Sequence, residues 1–320
     1  MPLLEFDPIL KRIRWGGRRL GRVLGKPIGE EPDYAESWEI ADHGDDQSVV
    51  RSGPWQGWTL SRLVTEQGRE LLGRHAGREQ FPLLIKFLDA SDRLSVQVHP
   101  DDRQAKRYDP RENGKTEAWV ILDAEPGSRI YAGLNAGVDR ARLRRHLDEG
   151  AVEECLHSFP AATGDGVFIP AGTVHAIGEG VLLAEIQQSS DITFRLYDWG
   201  RVDRDGNPRE LHIDQALDCI DFDRGPVAPV TPQTIGDHGA EELVRCEHFV
   251  LQRRRTDRPF HISSGDRCHV LMTLDGSADA ICDGEAARLD RGKTVLMPAG
   301  AGDLQIEPAG TMTLLDAFLP

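Results

Sequence analysis

The chain has 320 residues, of which 39% are hydrophobic and 28% charged, and its formal net charge is −15 at pH 7. This length suffices for one large or two ordinary domains, and no apolar run is long enough to span a bilayer. The negative charge argues against nucleic acid as the main partner. A small anionic substrate is still compatible with this charge, but it would need a local basic pocket.

The N-terminus and the cysteines indicate a cytoplasmic protein. The first seven residues contain no basic region followed by an apolar one, so a secretory signal is not expected. The cysteines are odd in number and form no CxxC pair, which argues against a disulfide framework and a cysteine-ligated zinc site. We therefore predict a reducing, cytoplasmic location. The sequence does not distinguish a monomer from a homodimer.

In chain order, the first predicted element is a helix over residues 56–76. Thr59 is a suitable N-cap, and leucines follow at roughly helical spacing. Residues 81–88 and 93–99 have the apolar or alternating pattern of strands. Residues 100–114 are polar and contain two prolines, so a loop is predicted there.

Short helices and many short strands are predicted for the rest of the chain. Asp139 can cap a helix over 139–149, and a second short helix is predicted over 151–158 after the break at Gly150. A further helix fits 213–221. Most remaining segments are short strands between Gly, Pro, Asn and Asp turns, which is typical of mainly β proteins built from barrels or sandwiches.

An internal repeat indicates two barrels of the same kind. Gly164–His175 and Gly292–Asp303 both follow the pattern G-x5-P-x-G-x2-[H/D]. The pattern predicts a buried strand, a Pro-Gly turn and a second strand whose first inward residue is the final His or Asp. We infer a metal-binding domain over residues 1–230 and a degenerate C-terminal domain over 231–320, since only the first repeat has metal-ligand candidates upstream.

Alternation along the predicted strand 93–99 divides its side chains between two faces. Side chains two residues apart in a strand share a face. The polar residues therefore point one way and the apolar residues the other: Ser95, Gln97 and His99 on one face, Leu94, Val96 and Val98 on the opposite face.

A second polar pair and a further histidine complete a plausible metal site. Lys115 and Glu117 precede the strand-like segment 119–122, so we expect two neighbouring strands to direct an imidazole, a carboxylate, an amide oxygen and a lysine into a common space. His175 can add a second imidazole. Two His, one Glu and one Gln form a nitrogen and oxygen ligand set suited to a divalent metal.

The same residues carry a family resemblance. The pattern G-x5-P-x-G-x2-H is the second signature of the cupin family, whose first signature normally reads H-x-H followed closely by Glu. Here it reads Gln97-Val-His99, and the glutamate is delayed to Glu117. This departure and several further segments resemble type I mannose-6-phosphate isomerases, over most of residues 56–222 and in the compact bacterial form. The further segments are 82–90, 95–102, 114–119, 170–178, 185–191, 195–199 and 211–218.

The resemblance implies a mainly β protein of two cupin (jelly-roll-type) barrels with a few short helices. It also implies an isomerase that interconverts mannose 6-phosphate and fructose 6-phosphate with one Zn²⁺ per chain. The implied zinc ligands are Gln97, His99, Glu117 and His175. The implied residues of the substrate pocket are Ser95, Lys115, Glu185 and Arg195.

The chemistry of the implied reaction restricts the roles of these side chains. Moving a proton between C1 and C2 requires an acid–base group and stabilisation of an enediolate. Glu185 and Lys115 are the candidates for proton transfer, and Lys115 could instead bind phosphate. Arg195 could stabilise the enediolate or bind phosphate, because a planar guanidinium suits both, and we favour charge stabilisation.

Two other functions remain open at this point. One is a metal cupin of different chemistry, such as an iron dioxygenase or an isomerase of another sugar phosphate, since two His and a carboxylate also suit iron. The other is a catalytically silent module that binds a sugar phosphate. The remaining histidines have no supporting pattern and are interpreted as structural or surface residues: His43, His75, His146, His157, His212, His238, His248, His261 and His269.

Overall fold

Antiparallel strands account for most of the regular structure in the computed structural model, which describes residues 1–202, 206–236, 239–282 and 284–320. His238 lies outside the described residues. No helix in the described part of the chain is long and apolar enough to cross a membrane. The helices are α1 (Arg19–Leu24), α2 (Leu60–Glu66), α3 (Gly68–Leu72), α4 (Asp102–Tyr108), α5 (Arg140–Asp148) and α6 (Ile213–Cys219), with 3-10 turns at Gly73–His75, Val152–Cys155 and Ala299–Ala301.

The strands fall into an N-terminal and a C-terminal set. The N-terminal set is β1 (Phe6–Asp7), β2 (Ile9–Gly17), β3 (Tyr34–Ile40), β4 (Asp42–His43), β5 (Asp46–Gln47), β6 (Val49–Val50), β7 (Leu83–Ala90), β8 (Val96–Val98), β9 (Glu117–Ala124), β10 (Arg129–Leu134), β11 (Leu156–Pro160), β12 (Gly166–Ile169), β13 (His175–Ile177), β14 (Val181–Gln188) and β15 (Phe194–Tyr197). The C-terminal set is β16 (Gln233–Thr234), β17 (Ala240–Arg245), β18 (Val250–Thr256), β19 (Phe260–Ser263), β20 (His269–Asp275), β21 (Ser277–Cys282), β22 (Glu285–Asp290), β23 (Thr294–Met297), β24 (Asp303–Pro308) and β25 (Met312–Phe318).

Two sheets of the N-terminal set face each other. One has the order β11-β10-β13-β8-β15, and the other has the order β12-β9-β14-β7-β3-β2. Buried side chains of both sheets share one cluster, including Trp119 on β9 and Ile130 on β10. The prediction that strands 93–99 and 115–122 are neighbours was therefore wrong, because β8 and β9 belong to different sheets. Their polar side chains still converge, since the inner faces of the two sheets point toward each other.

The C-terminal set repeats this topology. Its sheets have the orders β16-β17-β18-β25-β20-β23 and β19-β24-β21-β22. When its strands are listed in reverse order, the first of these sheets matches β12-β9-β14-β7-β3-β2 strand for strand. The second sheet, in the order given, matches four strands of the other N-terminal sheet, β8-β13-β10-β11. The predicted mainly β fold with two cupin barrels and a few short helices is confirmed. The boundary near residue 230 remains a prediction.

One detail of the predicted repeat was wrong. Asp303 is exposed, and Leu304 is the first buried residue of β24, whereas His175 at the start of β13 is buried. In the first copy the left-handed turn residue is Gly172 (φ 83°), while in the second copy it is Gly302 (φ 74°), immediately before the strand. The later left-handed residue changes which side chain of the following strand points inward.

The helix predicted over residues 56–76 is shorter and interrupted. It begins at Leu60, where the Thr59 side chain accepts a hydrogen bond of 3.2 Å from the Arg62 backbone N–H. Gln67 separates α2 from α3, next to Gly68. The predicted N-cap is confirmed, and the break agrees with the low helix propensity of glycine.

The polar segment 100–114 contains a helix that was predicted to be a loop. Helix α4 begins with a reciprocal capping box, in which the Asp101 side chain accepts from the Gln104 N–H and the Gln104 side chain accepts from the Asp101 N–H. Ala105 is its only buried residue, so no apolar stripe marked it. The capping-box spacing was the available signal.

The predictions for the remaining helices differ in outcome. Helix α5 confirms the one over 139–149, and the Asp139 side chain accepts from the Arg142 N–H at 2.7 Å. Helix α6 confirms the one over 213–221. The prediction of a helix over 151–158 was wrong for residues 156–158, because the chain after Cys155 enters β11 and pairs with β10.

A large hydrophobic cluster joins the two strand sets. It contains Phe87, Val120 and Leu182 from the N-terminal set together with Met272 and Leu315 from the C-terminal set. Buried apolar area is the main source of folding free energy, so a shared cluster couples the unfolding of the two sets.

Phe249→Ala should test this coupling, because Phe249 is fully buried in the shared cluster. We expect a loss of about 3–5 kcal/mol in the free energy of unfolding. All six tryptophans lie at or before residue 199, so their fluorescence reports the N-terminal set. Urea unfolding followed by tryptophan fluorescence should shift as much as unfolding followed by circular dichroism. The exposed control Leu211→Ala should change stability by less than about 0.5 kcal/mol, and a fluorescence transition unmoved by Phe249→Ala would contradict the coupling.

Candidate active site

Three buried side chains meet between the two N-terminal sheets. The potential ligand atoms of His99, Glu117 and His175 all lie within 4.8 Å of one another. The Nε2 atom of His99 is 3.1 Å from Glu117 Oε1, and the Nε2 atom of His175 is 3.9 Å from Glu117 Oε2. Among the described residues, this is the one group of three or more His, Cys, Asp and Glu side chains with such geometry.

Backbone carbonyls orient both imidazoles. His99 Nδ1 donates to the carbonyl of Ile192 at 2.9 Å, and His175 Nδ1 donates to the carbonyl of Thr173 at 2.9 Å. Because a carbonyl only accepts, each hydrogen sits on Nδ1 and each Nε2 presents a lone pair. His99 Nε2 is buried and has no hydrogen-bond partner. The Nε2 lone pair of His99 faces the Glu117 Oε1 atom at 3.1 Å with no hydrogen to share, which fits a bound cation.

Gln97 borders this cluster. It lies opposite His175 in the β8–β13 register, and its Nε2 atom is 3.3 Å from His175 Nε2. Its Oε1 atom accepts a hydrogen bond of 3.5 Å from the Ser95 hydroxyl. The oxygen therefore faces Ser95, and a rotation of the amide about its Cγ–Cδ bond would turn the oxygen toward the imidazoles.

The alternation predicted for residues 94–99 is confirmed with one exception. Val96 and Val98 are buried in a cluster on the outer face of β8, while the polar residues face the interior. Leu94 was predicted to point outward with these valines. It instead lines the interior cavity, because it precedes the strand, which begins at Val96.

The charges of this cluster are those that a metal requires. Burial alone would raise the pKa of Glu117, but Lys115, whose Nζ is 3.2 Å from Glu117 Oε1, and the two imidazoles hold that pKa well below its usual range. Burial, with the charge of Lys115, lowers the pKa of His99 to about 3, and burial also lowers that of His175. At neutral pH the cluster thus holds an ionised carboxylate and two neutral imidazoles.

Glu185 adjoins the cluster through a shared hydrogen-bond donor. The indole N–H of Trp119 donates to Glu117 Oε2 at 3.2 Å and to Glu185 Oε2 at 3.1 Å. On the other side, Lys86 Nζ lies 3.3 Å from Glu185 Oε1 and 3.6 Å from Glu36 Oε2. Burial and the charge of Glu117 raise the pKa of Glu185 to about 7, although Lys86 opposes the shift. A carboxyl with this pKa can both accept and return a proton near neutral pH.

The remaining predicted residues line a cavity of about 280 Å³ next to the cluster. Arg195 lies opposite Gln97 in the β15–β8 register, so its side chain lies beside the cluster. Its Nη1 donates to the carbonyl of Glu210 at 2.7 Å, and its Nε is buried without a partner. Lys115 and Ser95 line the same cavity. All eight predicted site residues are therefore brought together.

Two basic residues that line the cavity were missed by the sequence analysis. Lys86 lies in the fully buried strand β7, and a charged residue inside an apolar run was the available signal. Arg209 also lines the cavity, and its Nη1 lies 3.7 Å from Asp198 Oδ1. Arg209 comes from an irregular segment, and no pattern in the sequence indicated it.

Comparisons with known proteins point to one enzyme family. A family model described as phosphomannose isomerase type I, catalytic domain, matches residues 3–125. The chain is 35% identical over 305 residues to mannose-6-phosphate isomerase ManA of Bacillus subtilis strain 168, covering 95% of both chains. It is 40% identical over 299 residues to a mannose-6-phosphate isomerase of Streptococcus mutans, covering 93% of this chain and 92% of that one. The crystal structure of the mannose 6-phosphate isomerase from Bacillus subtilis superposes with a TM-score of 0.91 at 30% identity, covering 99% of both chains.

Proposed function

Because this chain belongs to the type I phosphomannose isomerase family, we propose that it interconverts D-mannose 6-phosphate and D-fructose 6-phosphate. The observation that carries this proposal is the convergence of two neutral imidazoles and an ionised glutamate beside a cavity that also holds Glu185 and Arg195. The substrate class is inferred from the names of the relatives, which are mannose-6-phosphate isomerases. The basic side chains that line the cavity are suited to an anionic sugar.

The proposed cofactor is one Zn²⁺ per chain, held by His99, Glu117, His175 and the amide oxygen of Gln97. The unpartnered lone pair of His99 Nε2 and the ionised state of Glu117 support a divalent cation, and a set with two imidazole nitrogens favours zinc over magnesium or calcium. When bound, Zn²⁺ would supply Lewis acidity toward the carbonyl and adjacent hydroxyl oxygens of the open-chain sugar.

Glu185 is the proposed general base that removes the proton from the substrate carbon. Its carboxylate takes the proton from C2 of the open-chain aldose, and the C–H electron pair forms the C1–C2 double bond while the carbonyl π electrons move to O1. The Glu185 carboxylic acid then returns the proton to C1, and transfer of the O2 proton to O1 completes the ketose. The pKa of about 7 suits both directions of this reversible transfer.

The cationic side chains of the cavity would stabilise the negative charges of the substrate. Arg195, beside Gln97, is near the ligand end of the cavity, which supports a role at the developing enediolate oxygens. Arg209 lines the same cavity and is proposed to bind the phosphate. Lys115 is held by Glu117 at 3.2 Å, which supports a role in positioning that carboxylate and donating to a sugar hydroxyl rather than in proton transfer from carbon. Ser95 is proposed to orient Gln97 and to contact the substrate.

A cytoplasmic location remains part of the proposal. All five cysteines are reduced thiols, and four of them are buried. Reduced thiols agree with a reducing compartment.

Removal and restoration of metal should test the function and the cofactor together. We expect the purified protein to form fructose 6-phosphate from mannose 6-phosphate, to lose this activity after chelation, and to regain it with stoichiometric Zn²⁺. A coupled assay measures turnover, and elemental analysis measures the metal. Activity that required Fe(II) and dioxygen would support the oxygenase alternative. A zinc-loaded, folded protein that binds the sugar phosphate without turnover would support the binding module.

A further inference from the structure

One fully buried polar side chain beside the metal-ligand cluster is not used by the proposed chemistry. Gln187 lies near the end of β14, opposite Glu117 in the β14–β9 register. Side chains of directly opposed residues lie on the same face of a sheet, so Gln187 points into the same interior as Glu117. Glu185, two residues earlier on β14, shares this face.

The Gln187 amide donates to the chain that follows it. Its Nε2 atom donates to the carbonyl of Gln188 at 2.9 Å and to the carbonyl of Ser190 at 2.7 Å. Because a carbonyl only accepts, these two bonds fix which end of the amide is the nitrogen. The other end, Oε1, is buried and has no hydrogen-bond partner among the described residues. An unsatisfied buried acceptor is destabilising, and such exceptions are typical of functional sites.

The hydrogen bonds from Gln187 lead to one of the candidate metal ligands. The segment 188–192 runs from the end of β14 to Ile192, whose carbonyl accepts from His99 Nδ1 at 2.9 Å. Within this segment, the Ser190 hydroxyl oxygen accepts from the Ile192 backbone N–H at 3.4 Å. Gln187 therefore holds the segment at Ser190, and Ser190 holds the residue that orients His99.

The other imidazole of the cluster is oriented by a different part of the chain. His175 Nδ1 donates to the carbonyl of Thr173 at 2.9 Å, only two residues earlier. The Thr173 backbone N–H in turn donates to the carbonyl of Pro170 at 3.1 Å, within the same turn. The two imidazoles are thus oriented by separate segments, and only His99 should respond to a change at Gln187.

The C-terminal barrel shows that this type of fold accepts an apolar side chain at the matching position. Strands β20 and β25 match β9 and β14 in the order of the two sheets. Glu117 and His269 each pair with the last residue of the neighbouring strand, β12 in one barrel and β23 in the other. Phe318, opposite His269, therefore takes the place of Gln187, opposite Glu117. The barrel that carries the His99 cluster has an amide where the other barrel has a buried aromatic ring.

We propose that Gln187 is a positioning residue of the metal site. Its amide holds the segment 188–192, and the Ile192 carbonyl at the end of this segment keeps the hydrogen of His99 on Nδ1. The lone pair of His99 Nε2 then faces Glu117. Outer groups that fix the tautomer and orientation of a ligating imidazole strengthen metal binding. The inference rests on the proposed Zn²⁺ site, but the state of His99 can be measured without metal.

Gln187→Met should test this role, because methionine is close to glutamine in size but has no N–H donor. In metal-free protein with ¹⁵N-labelled histidine, long-range ¹H–¹⁵N NMR shows which ring nitrogen carries the hydrogen, and the loss of one signal set in His99→Gln assigns His99. We expect His99 to change from the Nδ1–H tautomer to a mixture of both tautomers, while His175 keeps its wild-type signals. Zn²⁺ affinity, measured by competition with a chelator, should weaken about 10- to 100-fold.

Gln47→Met is the matched control, because the Gln47 amide donates to the carbonyl of Gly44 at 3.2 Å, outside the candidate site. It should change neither the His99 tautomer nor the Zn²⁺ affinity. Thermal unfolding checks that each variant is folded. If Gln187→Met does not fold, Ser190→Ala is measured in the same way, because it removes the acceptor that holds the next part of the segment.

The outcomes separate this inference from the proposed cofactor. A wild-type His99 spectrum, or a wild-type Zn²⁺ affinity, in the folded variant would overturn the positioning role of Gln187. A wild-type protein that binds no Zn²⁺ would contradict the proposed cofactor instead, and the metal-free spectra would still decide whether Gln187 orients His99.

Discussion

Glu117→Gln is expected to abolish metal binding and to lower kcat/KM by about 10³-fold or more. Glutamine keeps the shape of the side chain but removes the negative charge between His99 and His175. It also leaves Lys115, whose Nζ is 3.2 Å from Glu117 Oε1, without its counter-ion. The cluster would then present a cation where a divalent metal must bind, so the attraction is lost and a neutral amide oxygen, which is a weaker ligand, replaces the carboxylate.

The measurement is metal content by elemental analysis together with turnover in the coupled assay. Glu39→Gln is the matched control, because Glu39 is a buried glutamate that is ion-paired with Lys26 at 2.5 Å, outside the candidate site. Breaking a buried pair can cost about 3–5 kcal/mol of stability, and the control carries that cost as well. We expect Glu39→Gln to keep its metal and its activity. Full metal occupancy in Glu117→Gln would contradict the expectation that metal binding requires the negative charge of Glu117.

The residues of the candidate site could be predicted from sequence because local rules govern them. Strand alternation placed Ser95, Gln97 and His99 on one face, and the repeated Pro-Ala-Gly turn placed His175 at the start of a strand. Each of these inferences depends on residues within a few positions of one another.

The strand neighbours could not be predicted in the same way. Strands β8 and β9 were expected to be neighbours, but β9 pairs with β12 and β14 in the opposite sheet. Sheet pairing in a jelly roll joins segments far apart in sequence, so local patterns leave it undetermined. For the same reason, no sequence pattern indicated that Arg209, which lies in an irregular segment, would line the cavity. The helix α4 was missed for a different reason, since its capping box is local but its apolar stripe is absent.

Glu185→Gln is expected to lower kcat by about 10² to 10⁴-fold while the protein keeps its metal and its KM. The amide preserves the hydrogen bond from Trp119 but cannot accept a proton from carbon. Lys86 keeps a counter-ion, because Glu36 lies 3.6 Å from its Nζ on the other side. The variant should therefore fold, and its defect should lie in the chemical step.

Exchange of the C2 hydrogen isolates that step from the others. In D₂O, the wild-type enzyme should place deuterium at the reacting carbons of mannose 6-phosphate and fructose 6-phosphate, and Glu185→Gln should lose this exchange in proportion to kcat. Glu36→Gln is the matched control, since Glu36 contacts the same Lys86 and lines the same cavity. Its kcat should fall less than about tenfold.

The two outcomes separate proton transfer from positioning. If Glu185→Gln loses both exchange and turnover with metal retained, the carboxylate is the group that moves the proton. If exchange continues at the wild-type rate, another group removes the proton, and Lys115 becomes the candidate because it lines the same cavity. If metal is lost together with activity, the shared Trp119 hydrogen bond couples Glu185 to Glu117, and Glu185 acts as a positioning residue for the metal site.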